Sequence, residues 1–382
     1  MANQPALSVE VHPAGLEEPA HAPPATAAGF RRAPRKQRRR GLLVEDETMT
    51  AAAALVQDTF RGLLATLFYL ICSATHDVLV YGRENISGHH PSILISNHKR
   101  DMDSMVLLGI TYFARGVSHP NRRLAFALRE DAFWPGFLGR YLPRWGALLS
   151  WLDVSPHLLF GKAFPMGHLH SRQELPRVRG QLSRFAWLLD HGRDLYWTPE
   201  GGLGLDGHFG PFRAGLFRVV QGSRADLHLV PIAVFYDFMT TLRTRCFVRI
   251  GPEQRIDRAV TRQQFERQAR EAILRQVTVN VGHLAAVIID ELPPDARLSR
   301  TELERRLRDR AKRYRGAGLA LDPRLSSPRG LHRRAGQFLA YAQRQDILRH
   351  DGCTWRVAQG KQHPAMAYVF NEISEVAHLL NA

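Results

Sequence analysis

Cysteine is scarce: Cys72, Cys246 and Cys353 are the only three in 382 residues, and they are widely spaced. They make no metal pattern and no disulfide framework, and a reducing compartment suits them best. Acidic residues fall short of basic ones, with 36 Asp and Glu against 52 Lys and Arg, a formal net charge of +16. That imbalance points to an anionic partner: nucleic acid, anionic lipid or a phosphorylated substrate. Beyond one stretch near the N-terminus, no apolar run approaches the roughly 20 residues of a membrane-spanning helix. A polytopic membrane protein is excluded. No G-x-S-x-G turn occurs, and no cysteine lies in a turn suited to a nucleophile, so a covalent enzyme intermediate is not expected. Hydrophobic residues at 45% and charged residues at 23% describe an ordinary globular chain and exclude wholesale disorder.

What is present begins with a tail. Residues 1–50 are rich in Ala, Pro and Glu without apolar periodicity, and read as disordered. They carry a basic run: Arg31, Arg32, Arg35, Lys36, Arg38, Arg39 and Arg40. The acidic Glu45, Asp46 and Glu47 follow too soon for a secretory signal. Ala51–Ala74 is the most apolar segment, and its uninterrupted core is Gly62–Cys72. As a helix that core is only about 16 Å long, about half the hydrocarbon thickness of a bilayer. Asp58 and Arg61 flank it on one side, His76 and Asp77 on the other. Residues 51–77 are therefore expected to lie in a membrane interface or pack on the domain rather than span.

From Val78 to about Tyr236 short apolar runs alternate with amphipathic ones. Val78–Tyr81, Ser92–Ser96, Leu124–Leu128, Ala147–Leu152, Asp194–Trp197 and His228–Phe235 are expected as strands. Met102–Phe113 and Arg179–His191 are expected as helices. The expected fold is α/β: a layered, mostly parallel sheet flanked by helices. The second strand ends in Asn97-His98-Lys99-Arg100-Asp101-Met102-Asp103. Five helical residues turn through about 500°, so His98 and Asp103 diverge by about 140° inside one helix. They meet only if His98 sits in the turn before a helix that Asp101 caps and whose first turn holds Asp103. So placed, Asp103 orients one imidazole nitrogen and leaves the other as a base. A second strand runs into Thr198-Pro199-Glu200-Gly201-Gly202, where glycines permit a sharp turn close to a ligand. Phe212-Arg213-Ala214-Gly215 leads from a loop into a helix, and Arg213 suits an anion. Pro231, inside an apolar strand, favours an edge or a bulge.

The order and spacing of these blocks resemble the phospholipid/glycerol acyltransferase family, which includes glycerol-3-phosphate and 1-acylglycerol-3-phosphate (lysophosphatidate) acyltransferases. His98 and Asp103 match its H-x-x-x-x-D block. Gly82-Arg83-Glu84-Asn85 resembles its G-x-E-N segment, Pro199-Glu200-Gly201 its third block, Phe212-Arg213-Ala214-Gly215 its F-K-x-G step, and Val230-Pro231-Ile232 its fourth block. The sequence departs in two places. Gly202-Leu203 stands where the third block usually has Thr-Arg, and Gly146–Leu152 lacks the second block's arginine. In the family both arginines are linked to the acceptor's phosphate, a task left here to Arg213, Lys162 or Arg172.

The resemblance implies a membrane-associated O-acyltransferase of phospholipid synthesis. His98 is the expected general base, Asp103 its orienting partner, and Glu200, Gly201, Gly202 and Arg213 the substrate-binding residues. No cofactor is expected, and acyl-coenzyme A or acyl carrier protein is the co-substrate. The expected partners are an anionic membrane surface, the acyl donor, and glycerol-3-phosphate or a lysophospholipid. The expected location is the cytoplasmic face of a membrane, peripheral or monotopic. No metal is expected: His168 and His170 have no acid or cysteine to complete a site. Three other readings compete: an acyltransferase for another lysolipid or alcohol acceptor, a basic nucleic-acid-binding protein, and a catalytically silent lipid-binding relative.

The remaining chain is read as helices. Arg262–Leu292 is a long helical pattern, which closes an acyltransferase domain spanning residues 78–292. Thr301–Arg315 has seven Lys or Arg among fifteen residues and a thin apolar stripe. Leu331–Arg349 and Met366–Leu380 are also expected as helices, with a hairpin over Ile347–Ala358 around Asp351-Gly352. Residues 293–382 are thus expected to form a helical, winged-helix-like unit.

Overall fold

The computed structural model describes residues 69–86, 88–100, 124–127, 154–155, 175–239, 243–358 and 362–380, with scattered positions in 59–67 and 103–110. The expected strand Ala147–Leu152, the basic run at 31–40, Asp101, Lys162, His168, His170 and Arg172 lie outside the described residues.

The fold is mixed α/β. The main sheet holds β1 (His76–Tyr81), β2 (Ser92–Ser96), β3 (Leu124–Ala127), β4 (Val154–Ser155), β5 (Asp194–Trp197), β6 (His228–Asp237), β7 (Thr244–Ile250) and β8 (Gln254–Arg255). Their order is β1-β7-β6-β2-β5-β3-β4, with β8 paired to β6. β2 lies at the centre, parallel to both β5 and β6. All five of its residues are buried, as an interior strand covered on both faces requires. Ile93 and Ile95 join the apolar cluster under α1 (Leu175–Asp190) and α2 (Ala214–Gly222), whereas Leu94 joins a second cluster with Cys72, Val106, Leu107 and Ile110. The period-two alternation of the strand separates those two sets of contacts.

Two expectations change. Pro231 lies in an interior strand, between β2 on one side and β7 and β8 on the other. It is tolerated because the partner on that second side changes from β8 to β7 there: β8 pairs His228 and Leu229, and β7 pairing begins at Ile232. The Pro231 carbonyl accepts from Gly251 N, and the N–H that proline lacks has no ladder to serve. The pattern over Arg262–Leu292 is two helices, α3 (Arg262–Leu274) and α4 (Val281–Asp290), divided by the short strand β9 (Thr278–Val279). Asn280 makes the break. Its side chain accepts from His283 N, the His283 ring accepts from Asn280 N, and this reciprocal cap starts a new helix.

Downstream come β10 (Arg297–Leu298), α5 (Arg300–Gly316), β11 (Ala320–Leu321), α6 (Pro328–Arg344), the hairpin β12 (Leu348–Asp351) and β13 (Thr354–Val357), and α7 (Pro364–Leu380). β10, β13 and β12 form a three-stranded sheet in that order, and β11 pairs with β9. Leu303, Leu307, Ala311 and Tyr314 supply the buried stripe of α5. The apolar cluster under Ile93 continues without interruption through Phe265, Leu284, Leu307, Phe338 and Ile373. Among the described residues no helix is long and apolar enough to cross a membrane.

Candidate active site

His98 follows the carboxyl end of β2, outside regular structure, and Asp103 is helical. His98 Nδ1 lies 3.3 Å from Asp103 Oδ2. The carboxylate is fully buried, while the imidazole keeps 13% of its side-chain surface exposed. Asp103 Oδ2 also accepts from the backbone N–H of Lys99 at 2.6 Å and of Arg100 at 2.9 Å. Asp103 Oδ1 accepts from the Tyr236 hydroxyl. Each oxygen of this buried carboxylate therefore has a hydrogen-bond partner. Its hold on Nδ1 fixes the imidazole so that Nε2 carries the free lone pair.

Asn97 sets where this loop leaves the sheet. Its side-chain amide donates to Val234 O at 2.8 Å and accepts from Val234 N at 2.7 Å. It thereby extends the β2–β6 ladder past Ser96, whose strand partner is Ile232. The side chain stands in for a backbone unit, and the main chain is free to turn and present His98.

Glu200 stands beside the pair. Its Oε1 accepts from His98 N at 3.0 Å and its Oε2 from Gly210 N at 2.8 Å. Burial pushes its carboxyl above the usual range, and the two backbone donors oppose that shift. Glu200 therefore ties the β5 turn to the backbone of His98. Gly204 N returns a bond to His98 O at 3.0 Å. Gly201 has φ +70°, and a Cβ there would come within 3.0 Å of Arg213 Cγ. The turn needs glycine both for its left-handed backbone and for the approach of Arg213. Arg213 caps the start of α2, its N–H bonds Pro199 O at 2.8 Å, and the residue is exposed. Gly202 is half-buried with open space where a side chain would stand.

The fold thus brings His98, Asp103 and Glu200 into one bonded group, and places Arg213 over the adjoining Gly201 turn. Sequence reasoning gave no role to Tyr236, Asn97 or Lys99. Asn97 and Lys99 stand within the block itself. Tyr236 carried no signal, since an apolar strand ending in tyrosine suggests packing. Among the described residues no group of three or more His, Cys, Asp or Glu is arranged to hold a metal ion.

Residues 77–235 match the family model described as Acyltransferase. No curated protein sequence matches the chain. A crystal structure of the 1-acyl-sn-glycerophosphate (LPA) acyltransferase PlsC from Thermotoga maritima is similar at 16% identity and a TM-score of 0.36, over 58% of this chain and 78% of that one. The matched segment is an acyltransferase domain, and it holds His98, Asp103, Glu200 and Arg213.

Proposed function

We propose that this O-acyltransferase works at a membrane in phospholipid synthesis, moving a fatty acyl group from acyl-coenzyme A or acyl carrier protein to a hydroxyl of glycerol-3-phosphate or lysophosphatidate. The observation that carries the reading is the short reach between His98 Nδ1 and the buried Asp103. A neutral alcohol attacks a thioester slowly. Nε2 of His98 takes the hydroxyl proton as the oxygen bonds to the thioester carbon. The tetrahedral oxyanion then collapses, the C–S bond breaks, and the imidazolium returns its proton to the leaving thiolate. Backbone N–H groups near Gly201 and Gly202 hold the acceptor or the oxyanion. Glu200 orders that turn. Arg213, beside Gly201, takes the phosphate in place of the arginines missing from the second and third blocks. None of these steps uses a cofactor.

The described helical positions between Thr59 and Thr75, ahead of β1, serve as an interface element on the cytoplasmic face of a membrane, and His76 and Asp77, expected to belong to that element, instead open β1. Support comes from Leu63, Leu67 and Leu70, exposed at helical spacing, with Ile71 beside them. Leu205, the most exposed large hydrophobic among the described residues, lies one residue beyond Gly204, which bonds His98. Residues 293–382 are taken as a winged-helix-like unit, supported by the strand order β10-β13-β12 around α5 and α6.

The test is an acceptor screen with membranes, acyl-coenzyme A or acyl carrier protein as donor, and glycerol-3-phosphate, lysophosphatidate or other lysolipids as acceptor. Wild type should yield acylated lipid, and His98→Ala should lose about 10²–10⁴-fold in turnover while melting normally. Full turnover in that variant would overturn the mechanism. Liposome binding without any product would make the chain a silent relative.

A further inference from the structure

We propose that α7, beyond the matched residues 77–235, is part of the catalytic apparatus: Glu372 fixes Lys99, and Lys99 fixes the loop that joins His98 to Asp103. The inference rests on His98 and Asp103 being the catalytic pair.

Lys99 follows the base directly, and its side chain is 2% exposed. Its Nζ donates to Gly207 O at 2.7 Å and lies 3.6 Å from Glu372 Oε1. The rings of Phe235 and Tyr368 flank it, each centroid 5.7 Å away. Glu372 is equally buried, and its Oε2 lies 3.3 Å from His283 Nε2 on α4. The backbone N–H of the same Lys99 makes the 2.6 Å bond to Asp103. One residue therefore anchors the carboxylate with its main chain and α7 with its side chain. A four-carbon stem is floppy in water. Held at its tip by an anion, a carbonyl and two aromatic faces, it stops the His98–Asp103 loop from turning about its own backbone.

The same face of α7 also holds the loop on the other side of the site. Tyr368, Asn371, Glu372 and Glu375 follow the i, i+3, i+4, i+7 spacing of one helix face. Asn371 Nδ2 donates to Asp206 O at 2.9 Å, and Glu375 Oε1 accepts from Phe209 N at 3.2 Å. Gly207, at φ +87°, lets α7 close on the loop: a Cβ there would stand 2.0 Å from Tyr368 O. Gly210 of this loop donates to Glu200. The base loop and the Glu200 loop are thus braced by one helix. A buried ion pair is a poor way to gain stability, because desolvation opposes its attraction. Positional constraint is what it supplies here. Lys99 and Glu372 are positioning residues, not catalytic ones.

The experiment uses the full chain and the acceptor that wild type acylates fastest in the screen above. Glu372→Gln and Lys99→Met should each lower kcat by about tenfold or more with KM for both substrates little changed, as expected when reacting groups are misplaced. The double variant Lys99→Met with Glu372→Gln leaves no buried charge unpaired and should recover the melting temperature but not kcat. Val376→Ala, at a fully buried apolar position on the same helix, should lower the melting temperature and leave kcat alone. Recovery of kcat together with stability in the double variant would overturn the proposal, as would unchanged kcat in both single variants. If Glu372→Gln is too unstable to assay, the double variant decides. Failure of the catalytic pair itself would show separately, as activity retained in His98→Ala.

Discussion

The Tyr236 hydroxyl donates to Asp103 Oδ1, joining the end of β6 to the buried acid that orients His98. Burial and the neighbouring Asp103 charge push the phenol's pKa well above its usual value, so it remains a donor throughout the working range. The phenol thereby fills the one carboxylate oxygen that the backbone of the His98 loop does not reach.

Tyr236→Phe should therefore cost both stability and rate. The ring packs as before, but Asp103 Oδ1 loses its partner, a loss of about 1–3 kcal/mol for an unsatisfied buried group. Denaturant unfolding measures that cost. Steady-state kinetics should show kcat down by about tenfold with KM little changed. A variant with wild-type stability and rate would show that Oδ1 needs no donor.

Glu200 predicts a pH effect with a definite sign. Its folded pKa lies above that of the unfolded chain because burial penalises the anion. The folded state then binds more protons than the unfolded state between the two values, and stability falls as pH rises through that window. Relative to Glu200→Gln, wild type should gain melting temperature as the pH is lowered from 7 towards 4.5. Parallel melting curves for the two proteins across that range would refute the assignment.

The exposed leucines can be tested without touching the site. Leu63→Ser, Leu67→Ser and Leu70→Ser together should leave the melting temperature unchanged, because these side chains are already largely in water. Co-sedimentation with anionic vesicles should drop by about tenfold or more, since burying each leucine in an interface contributes roughly 1.5 kcal/mol or more. Undiminished sedimentation would place the membrane contact elsewhere.

Thiol chemistry separates the three cysteines. Cys353 is exposed, whereas Cys72 and Cys246 are buried. Burial pushes the Cys72 thiol up to about 11, and burial with the Asp103 charge pushes Cys246 upward as well. A thiol-reactive probe should label one cysteine in the native protein and three after denaturation, with full activity after the single labelling. Inactivation on labelling Cys353 would contradict a mechanism without an enzyme nucleophile.

Much of the site was legible because it is local. His98, Asp103 and the strand before them lie within a dozen residues, and the pairing geometry follows from helix pitch alone. The Pro199-Glu200-Gly201 turn was legible for the same reason: proline ends a strand, and glycine allows φ +70°. The two-faced burial of β2 was visible as an apolar run. The antiparallel β7 was not, because its alternating Thr244-Arg245-Cys246-Phe247 gives no hint of which strand it joins. Nor was the break between α3 and α4, which the capping of Asn280 decides against a continuous apolar stripe.

By itself the sequence determined the order of the blocks, the closeness of His98 and Asp103, the basic excess, and the apolar segment before β1. Only tertiary structure decided that Tyr236 completes the Asp103 carboxylate, that Glu200 bonds the backbone of His98, and that Lys99 meets Glu372 at the far end of the chain. Periodicity reports which face of an element is turned from water. It does not report which distant element covers that face, because that choice is made by packing and by the need of each buried polar group for a partner.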